Sequence, residues 1–189
     1  MNKHDFNSEL LSFLDASPTP FHAVFEMKKR LLSNGFLELK ESDSWKIEQG
    51  ASYFVTRNDS SIIAFHTGDR PSSELGWRMV GAHTDSPCLK IKPSPDLGVN
   101  KTSYAQLAVE VYGGLLLPPW FDRDLSLAGR VTFKNAQGDL QSELVNFQRS
   151  VGSIPSLAIH LDRGANENRS INKQKELNLV IASNAEPFP

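Results

Sequence analysis

The chain has 189 residues, with 20 lysines and arginines against 22 aspartates and glutamates, and therefore a net charge of −2. Nucleic-acid-binding proteins usually carry a basic excess, which this chain lacks, so we expect no nucleic-acid partner. Hydrophobic residues make up 39% of the sequence, and no apolar run approaches the roughly 20 residues that cross a bilayer. Cys88 is the only cysteine, which excludes intrachain disulfides. We expect a soluble, cytoplasmic protein without membrane contact.

The N-terminal region predicts two helices joined by a proline-rich turn. Apolar residues recur at helical spacing over residues 6–14, and this pattern ends at the SPTP run of residues 17–20. Thr19 is a suitable N-cap for a second helix with Pro20 in its first turn, and Gly35 is a suitable stop. The chain is therefore predicted to open with a helical hairpin.

The remainder predicts mainly short strands. Residues 77–82 form an apolar run that ends in small residues, which is typical of a buried central strand. Pro93 and Pro95 interrupt the pattern, and residues 163–176 are polar and predict an exposed loop. These features predict a mixed α/β fold with residues 1–90 as an α/β part and residues 91–189 as a β-rich part. The predicted strands cover residues 36–39, 52–57, 61–65, 77–82, 107–112, 127–134 and 140–147.

His83 and Asp85 directly follow the predicted central strand. Open α/β sheets bind ligands beyond the carboxyl ends of their strands, so a metal site would lie here. A neutral imidazole ligates zinc, and a nearby carboxylate holds the tautomer of the ring. A histidine and an aspartate two residues apart also occur at ordinary strand ends, so the pair alone does not separate a metal site from a structural turn.

Four separated motifs together resemble the aspartyl aminopeptidases, a family of co-catalytic zinc metallopeptidases. The resemblance implies part of a zinc-aminopeptidase-type catalytic α/β domain (residues 1–90) and an inserted β-rich oligomerisation domain (residues 91–189). It also implies two Zn²⁺ ions in each complete site, peptide substrates with an acidic N-terminus, and a homo-oligomer. The motifs are GAHTDSPCLK at 81–90, VEVYGG at 109–114, WFDRDL at 120–125 and IPSLAIHL at 154–161.

The resemblance gives three residues a role in the site. His83 is assigned as a metal ligand and Asp85 as the catalytic carboxylate that orients it. His160 is assigned as a metal ligand, or as a contact to substrate in a neighbouring subunit. Other candidates are interpreted as structural, because hydrogen bonding, an ion-paired turn or burial explains them at least as well: His22, His66, Cys88, Asp122 and Asp124.

The resemblance further implies that the general base and the remaining metal ligands follow the inserted domain. The chain ends at Pro189, within that insertion or at its exit by this interpretation. We therefore expect a partial aminopeptidase that is inactive by itself. The alternative is a non-catalytic module that keeps the oligomer-forming domain.

Overall fold

The computed structural model describes residues 3–97 and 104–183. The first half of the described chain contains both helices and strands, and the second half contains mainly strands. No helix in these two stretches is long and apolar enough to cross a membrane. The predicted mixture of helices and strands is confirmed. The elements are α1 (Lys3–Asp15), α2 (Pro20–Ser33), β1 (Leu37–Leu39), β2 (Ser52–Arg57), β3 (Ser61–His66), α3 (Ser72–Leu75), β4 (Cys88–Asp96), β5 (Tyr104–Tyr112), β6 (Ala128–Lys134), β7 (Leu140–Asn146) and β8 (Leu179–Ser183).

Packing divides the chain into two compact units. Unit 1 comprises the chain up to Asp85 together with Ala128–Val145, and unit 2 comprises Ser86–Leu127 and the chain from Asn146. The hairpin of β6 and β7 is therefore grouped mainly with the N-terminal helices. The assignment of residues 91–189 to an inserted domain stays a prediction, and its residues 98–103 and 184–189 lie outside the described chain.

The predicted helical hairpin of unit 1 is confirmed. The Thr19 side chain caps α2 by accepting a hydrogen bond from the backbone N–H of His22 at 3.4 Å, and Pro20 occupies the first turn. This satisfies one of the backbone donors that the start of a helix leaves unpaired. Ala23 and Val24 are the buried residues of α2.

A three-stranded mixed sheet follows the hairpin in unit 1. Strand β2 lies at its centre, parallel to β1 and antiparallel to β3. Phe54 of β2 is fully buried, and its neighbours Tyr53 and Val55 are buried as well. The sequence Asn58-Asp59-Ser60 between these strands predicts a tight turn. The structure has this turn, with Asn58 and Asp59 in the left-handed region at φ of 51° and 52°.

Arg130 attaches the hairpin of β6 and β7 to the N-terminal part of unit 1. Its guanidinium lies 4.1 Å from the ring centroid of Phe21, and it donates to the backbone and side-chain oxygens of Asn58 at 2.8 and 3.1 Å. The alternation of apolar and polar residues along β6 predicts that Val131 and Phe133 are buried, but both are exposed.

Unit 2 contains an antiparallel sheet in the order β4, β5, β8. Pro93 and Pro95 lie inside β4, where the register shifts between Ile91 and Asp96, so the predicted interruption is an irregularity within a strand. Strand β8 was not among the predicted strands. Residues 163–176 form the predicted exposed loop, and the buried cluster of unit 2 comprises Val109, Phe121, Ile154, Leu177 and Leu179.

Candidate metal site

The segment that leads to His83 is not the buried strand that its sequence predicts. Residues 77–82 have no regular secondary structure, and the side chains of Met79 and Val80 are 88% and 101% exposed. An apolar strand is buried only when neighbours cover its edges and both of its faces. Residues 77–82 belong to none of the sheets in the described chain, so the prediction of a buried central strand is wrong for this structure.

The imidazole of His83 is held by the backbone of Asp85. The His83 Nδ1 atom lies 2.6 Å from the carbonyl oxygen of Asp85, whereas the Asp85 Oδ1 atom is 3.6 Å away, beyond hydrogen-bond distance. A carbonyl oxygen only accepts, so Nδ1 carries the proton and donates it. In the neutral ring the lone pair is then on Nε2, which is the form that ligates a metal.

Asp85 therefore fixes the tautomer of His83 through its carbonyl, and not through the carboxylate that the sequence suggested for this task. The carboxylate stays close to the ring, at ion-pair distance, and is 41% exposed, while the His83 side chain is 81% exposed. Both groups are accessible to an ion from solvent. The roles of His83 and Asp85 in metal binding stay predictions.

Thr84 anchors the loop that carries these two residues. Its hydroxyl donates to the backbone oxygen of Ser60 at 2.8 Å, at the turn between β2 and β3. The hydrogen bond ties the loop to the sheet, so His83 and Asp85 are presented from a fixed turn. Sequence reasoning missed Thr84, since a single threonine forms no sequence pattern that would predict its contact with Ser60.

The donor types at this loop suit zinc, but His83 and Asp85 are too few ligands for a complete zinc site. Zinc binds imidazole nitrogen and carboxylate oxygen, normally with four ligands or with three protein ligands and a water. Over residues 3–97 and 104–183, no group of three or more histidine, cysteine, aspartate or glutamate side chains is arranged to hold a metal ion. His83 and Asp85 thus fit a zinc ion as part of a ligand set.

His160 lies in unit 2, on an exposed turn that follows the buried residue Ile154 in the chain. The turn is closed by a hydrogen bond from the Leu161 N–H to the Ala158 oxygen at 2.8 Å. Upstream, Ile154 is 1% exposed, and its carbonyl accepts from the Asp122 N–H at 2.9 Å. The motif therefore has a buried anchor at its start and presents His160 to solvent near its end.

Asp122 has a structural role, as the sequence interpretation expects, but its carboxylate is held mainly by hydrogen bonds and only secondarily by the charge of Arg169. Its Oδ1 atom accepts from the backbone N–H of Ser156 at 2.8 Å, and its own φ is 53°. Hydrogen bonding from Ser156, and secondarily the positive charge of Arg169, lowers the pKa of the Asp122 carboxyl below its usual value. Asp122 thus joins the WFDRDL and IPSLAIHL motifs inside unit 2.

The other histidines that sequence analysis interpreted as structural have ordinary partners. His22 Nδ1 lies 2.8 Å from the hydroxyl of the capping Thr19. His66 Nδ1 lies 3.0 Å from the hydroxyl of Ser52, its cross-strand neighbour. A cavity of about 290 Å³ in unit 2 is lined in part by Phe121 and Arg169, and none of the three predicted site residues lines it.

Comparison with known proteins gives the family. Residues 13–187 match the model of the M18 peptidases, described as aminopeptidase I zinc metalloproteases. The chain belongs to this family, which confirms the resemblance found in its four motifs. A probable M18 family aminopeptidase 2 of Pseudomonas paraeruginosa is 56% identical over 178 residues, which cover 94% of this chain and 41% of that protein.

Solved structures agree with this membership. Ape4, in its cryo-EM complex with Nbr1, is similar with a TM-score of 0.83 and 43% identity, over 94% of this chain and 34% of that one. The mApe1 of Chaetomium thermophilum is similar with a TM-score of 0.80 and 35% identity, over 95% of this chain and 40% of that one. The chain spans about two fifths of the length of the curated relatives it matches.

Proposed function

We propose that this chain forms part of a cytoplasmic zinc aminopeptidase that releases N-terminal aspartate or glutamate from peptides. Membership of the M18 family supports the peptidase chemistry and the metal. The observation that carries the proposal is the 2.6 Å contact between His83 Nδ1 and the Asp85 carbonyl, because it leaves Nε2 as the lone-pair nitrogen on an exposed loop. The preference for acidic residues rests on the motif resemblance.

In this proposal His83 ligates zinc through Nε2, and the Asp85 carboxylate stabilises positive charge that develops on the ring. Zinc, when bound, supplies a Lewis acid that polarises the scissile carbonyl and acidifies a water, and two ions are expected for each complete site. Thr84 holds the loop in place through Ser60, so the imidazole needs little reordering when it binds a metal.

Residues 91–189 are proposed to be the inserted domain through which copies of the chain associate. His160 would then reach metal or substrate from its exposed turn, in its own or in a neighbouring subunit. The mApe1 of S. cerevisiae is a dodecamer, but at 24% identity its likeness concerns the fold, so self-association rests on the motif resemblance. We further propose that the 189-residue chain alone is inactive, because His83 and Asp85 do not complete a zinc site.

A chimera tests the function. This chain replaces the matched part of the Pseudomonas paraeruginosa relative, and hydrolysis of aspartyl, glutamyl and leucyl anilides is measured together with zinc content. We expect acidic substrates to be preferred, His83→Ala to lose at least about 100-fold in activity together with zinc, and Asp85→Asn to lose about 10–100-fold. His66→Ala is the matched control, since the His66 ring contacts Ser52 on the neighbouring strand.

Three results would contradict parts of this proposal. Full activity and zinc content in His83→Ala would remove the ligand assignment. Preference for the leucyl anilide would remove the acidic specificity. Turnover by the isolated 189-residue chain would show that it is active by itself, whereas an inactive chain that assembles into oligomers with His83 dispensable would favour the non-catalytic module.

A further inference from the structure

The turn between β2 and β3 carries two carbonyl oxygens that the strand ladder does not use. The ladder ends with Arg57 opposite Ser61, and the Ser60 N–H closes the turn by donating to the Arg57 oxygen at 3.2 Å. The carbonyls of Asn58 and Ser60 lie outside this ladder. A backbone carbonyl requires a donor, so both oxygens are open to partners from other parts of the chain. Residues 58–60 are called the β2–β3 turn below.

Arg130 of β6 holds the first of these carbonyls. Its Nη1 atom donates to the backbone oxygen of Asn58 at 2.8 Å, and its Nη2 atom donates to the Asn58 side-chain oxygen at 3.1 Å. The guanidinium also lies over the Phe21 ring, which limits its rotation. Arg130 is half-buried, whereas the four residues that follow it in β6 are exposed. A planar guanidinium can grip two oxygens of one residue at once, which a lysine ammonium does not do in this fixed geometry.

The loop that carries the candidate ligands holds the second carbonyl. The Thr84 hydroxyl donates to the Ser60 oxygen at 2.8 Å, and both residues are half-buried, whereas His83 is exposed. Residues 83–85 are called the metal loop below. The β2–β3 turn therefore binds Arg130 at its first residue and the metal loop at its third. All of these residues belong to unit 1.

We propose that Arg130 is a positioning residue for the metal loop and acts on it through the β2–β3 turn. Asn58 and Asp59 both have positive φ, a conformation that residues other than glycine populate sparsely. The two hydrogen bonds from Arg130 hold Asn58 in this conformation and thereby keep the Ser60 carbonyl where Thr84 bonds it. Loss of the grip should loosen the turn and, with it, the metal loop. The consequence for zinc rests on the proposed function of His83.

Backbone order parameters from NMR relaxation test this coupling in the 189-residue chain without zinc. In Arg130→Gln the order parameter of the Thr84 amide should fall from about 0.85 to below about 0.6, because the anchor of the loop becomes mobile. Arg130→Lys should give the same fall, since it keeps the charge but not the two-point contact. Arg30→Gln is the matched control and should change nothing at Thr84. Arg30 also lies over a ring and pairs with a carboxylate in unit 1, but its partners are Phe13 and Glu26.

Zinc affinity in the chimera, measured by competition with a chelator, tests the consequence for the site. Arg130→Gln and Thr84→Val should each lower the affinity about 3–10-fold, which is less than the loss expected when a direct hydrogen-bond partner of a ligand is removed. Because both changes act through the same turn, the double variant should lose about as much as the more severe single variant. Thr84→Ser keeps the hydroxyl and should keep the affinity, as should Arg30→Gln.

Any of three results would overturn the inference. These are an unchanged order parameter at Thr84 in Arg130→Gln, full zinc affinity in that variant, or additive losses in the double variant. The amide of Phe54 in β2 should stay ordered in every variant, so a loss confined to the metal loop separates positioning from unfolding. Full zinc content in His83→Ala would contradict the proposed function alone, because the order parameters are measured without zinc.

Discussion

Strand β2 and residues 77–82 are apolar runs of the same length with opposite outcomes. In β2, Tyr53, Phe54 and Val55 are 3%, 0% and 8% exposed, whereas Met79 and Val80 are almost completely exposed. The difference is in their pairing: β2 is paired on both edges and lies near α2, while residues 77–82 pair with no strand of the described chain. An apolar run thus favours burial, but whether it is buried depends on the parts of the chain that pack around it.

The largest effect should come from removing the central side chain of β2. Phe54→Ala should destabilise the chain by about 3–5 kcal/mol, because it deletes a fully buried ring and leaves a cavity. Val80→Ala should change stability by less than about 0.5 kcal/mol. Urea unfolding of the 189-residue chain measures both. A cost above about 1 kcal/mol for Val80→Ala would show that this side chain is buried in solution and would remove the contrast.

A second test compares a glycine that packs against backbone in unit 2, Gly152, with an open one in β6 of unit 1, Gly129. A Cβ atom on Gly152 would overlap the Val180 oxygen, while one on Gly129 meets no atom within 4 Å. Gly152→Ala should therefore cost about 1–3 kcal/mol by forcing apart the bridge between Ser153 and Val180. Gly129→Ala is the control and should be close to neutral. Equal melting temperatures for the two variants would contradict this packing.

The smallest effect concerns the α2 cap, where burial lowers the pKa of His22 from its ordinary value of 6.5. In the unfolded chain His22 binds a proton near pH 6.5, whereas in the folded chain it does so only at lower pH. Stability should therefore fall as the pH is lowered from about 6.5 towards the folded pKa. Melting temperatures between pH 8 and 5 measure this slope. The slope should be shallower in His22→Gln, and identical slopes would show that His22 does not cause it.

Local signals account for the parts of the fold that were predicted correctly. The proline-rich entry and Thr19 mark the start of α2, and the Asn58-Asp59 pair marks the turn between β2 and β3. Each depends on a few consecutive residues whose backbone preferences are intrinsic. The prolines of β4 were misinterpreted as a break, because a register shift lets a strand continue past residues that cannot donate a ladder hydrogen bond.

The candidate site was predictable in its residue types and not in its geometry. His83 and Asp85 were identified by motif, yet the hydrogen bond that fixes the imidazole is accepted by a backbone carbonyl, which every residue carries. The Thr84 anchor depends on Ser60, 24 positions earlier in the chain. No local pattern encodes a contact between positions so far apart.

By itself the sequence determined the family, the helical hairpin, most of the strands, and His83 and Asp85 as the main candidates for the metal site. It could do so because motifs and hydrophobic periods are properties of neighbouring residues. Only the tertiary structure decided which apolar runs are buried, which backbone atom holds His83, and that β6 and β7 pack with the N-terminal helices through Arg130. These outcomes depend on partners distant in sequence, and burial is a property of the whole packed unit.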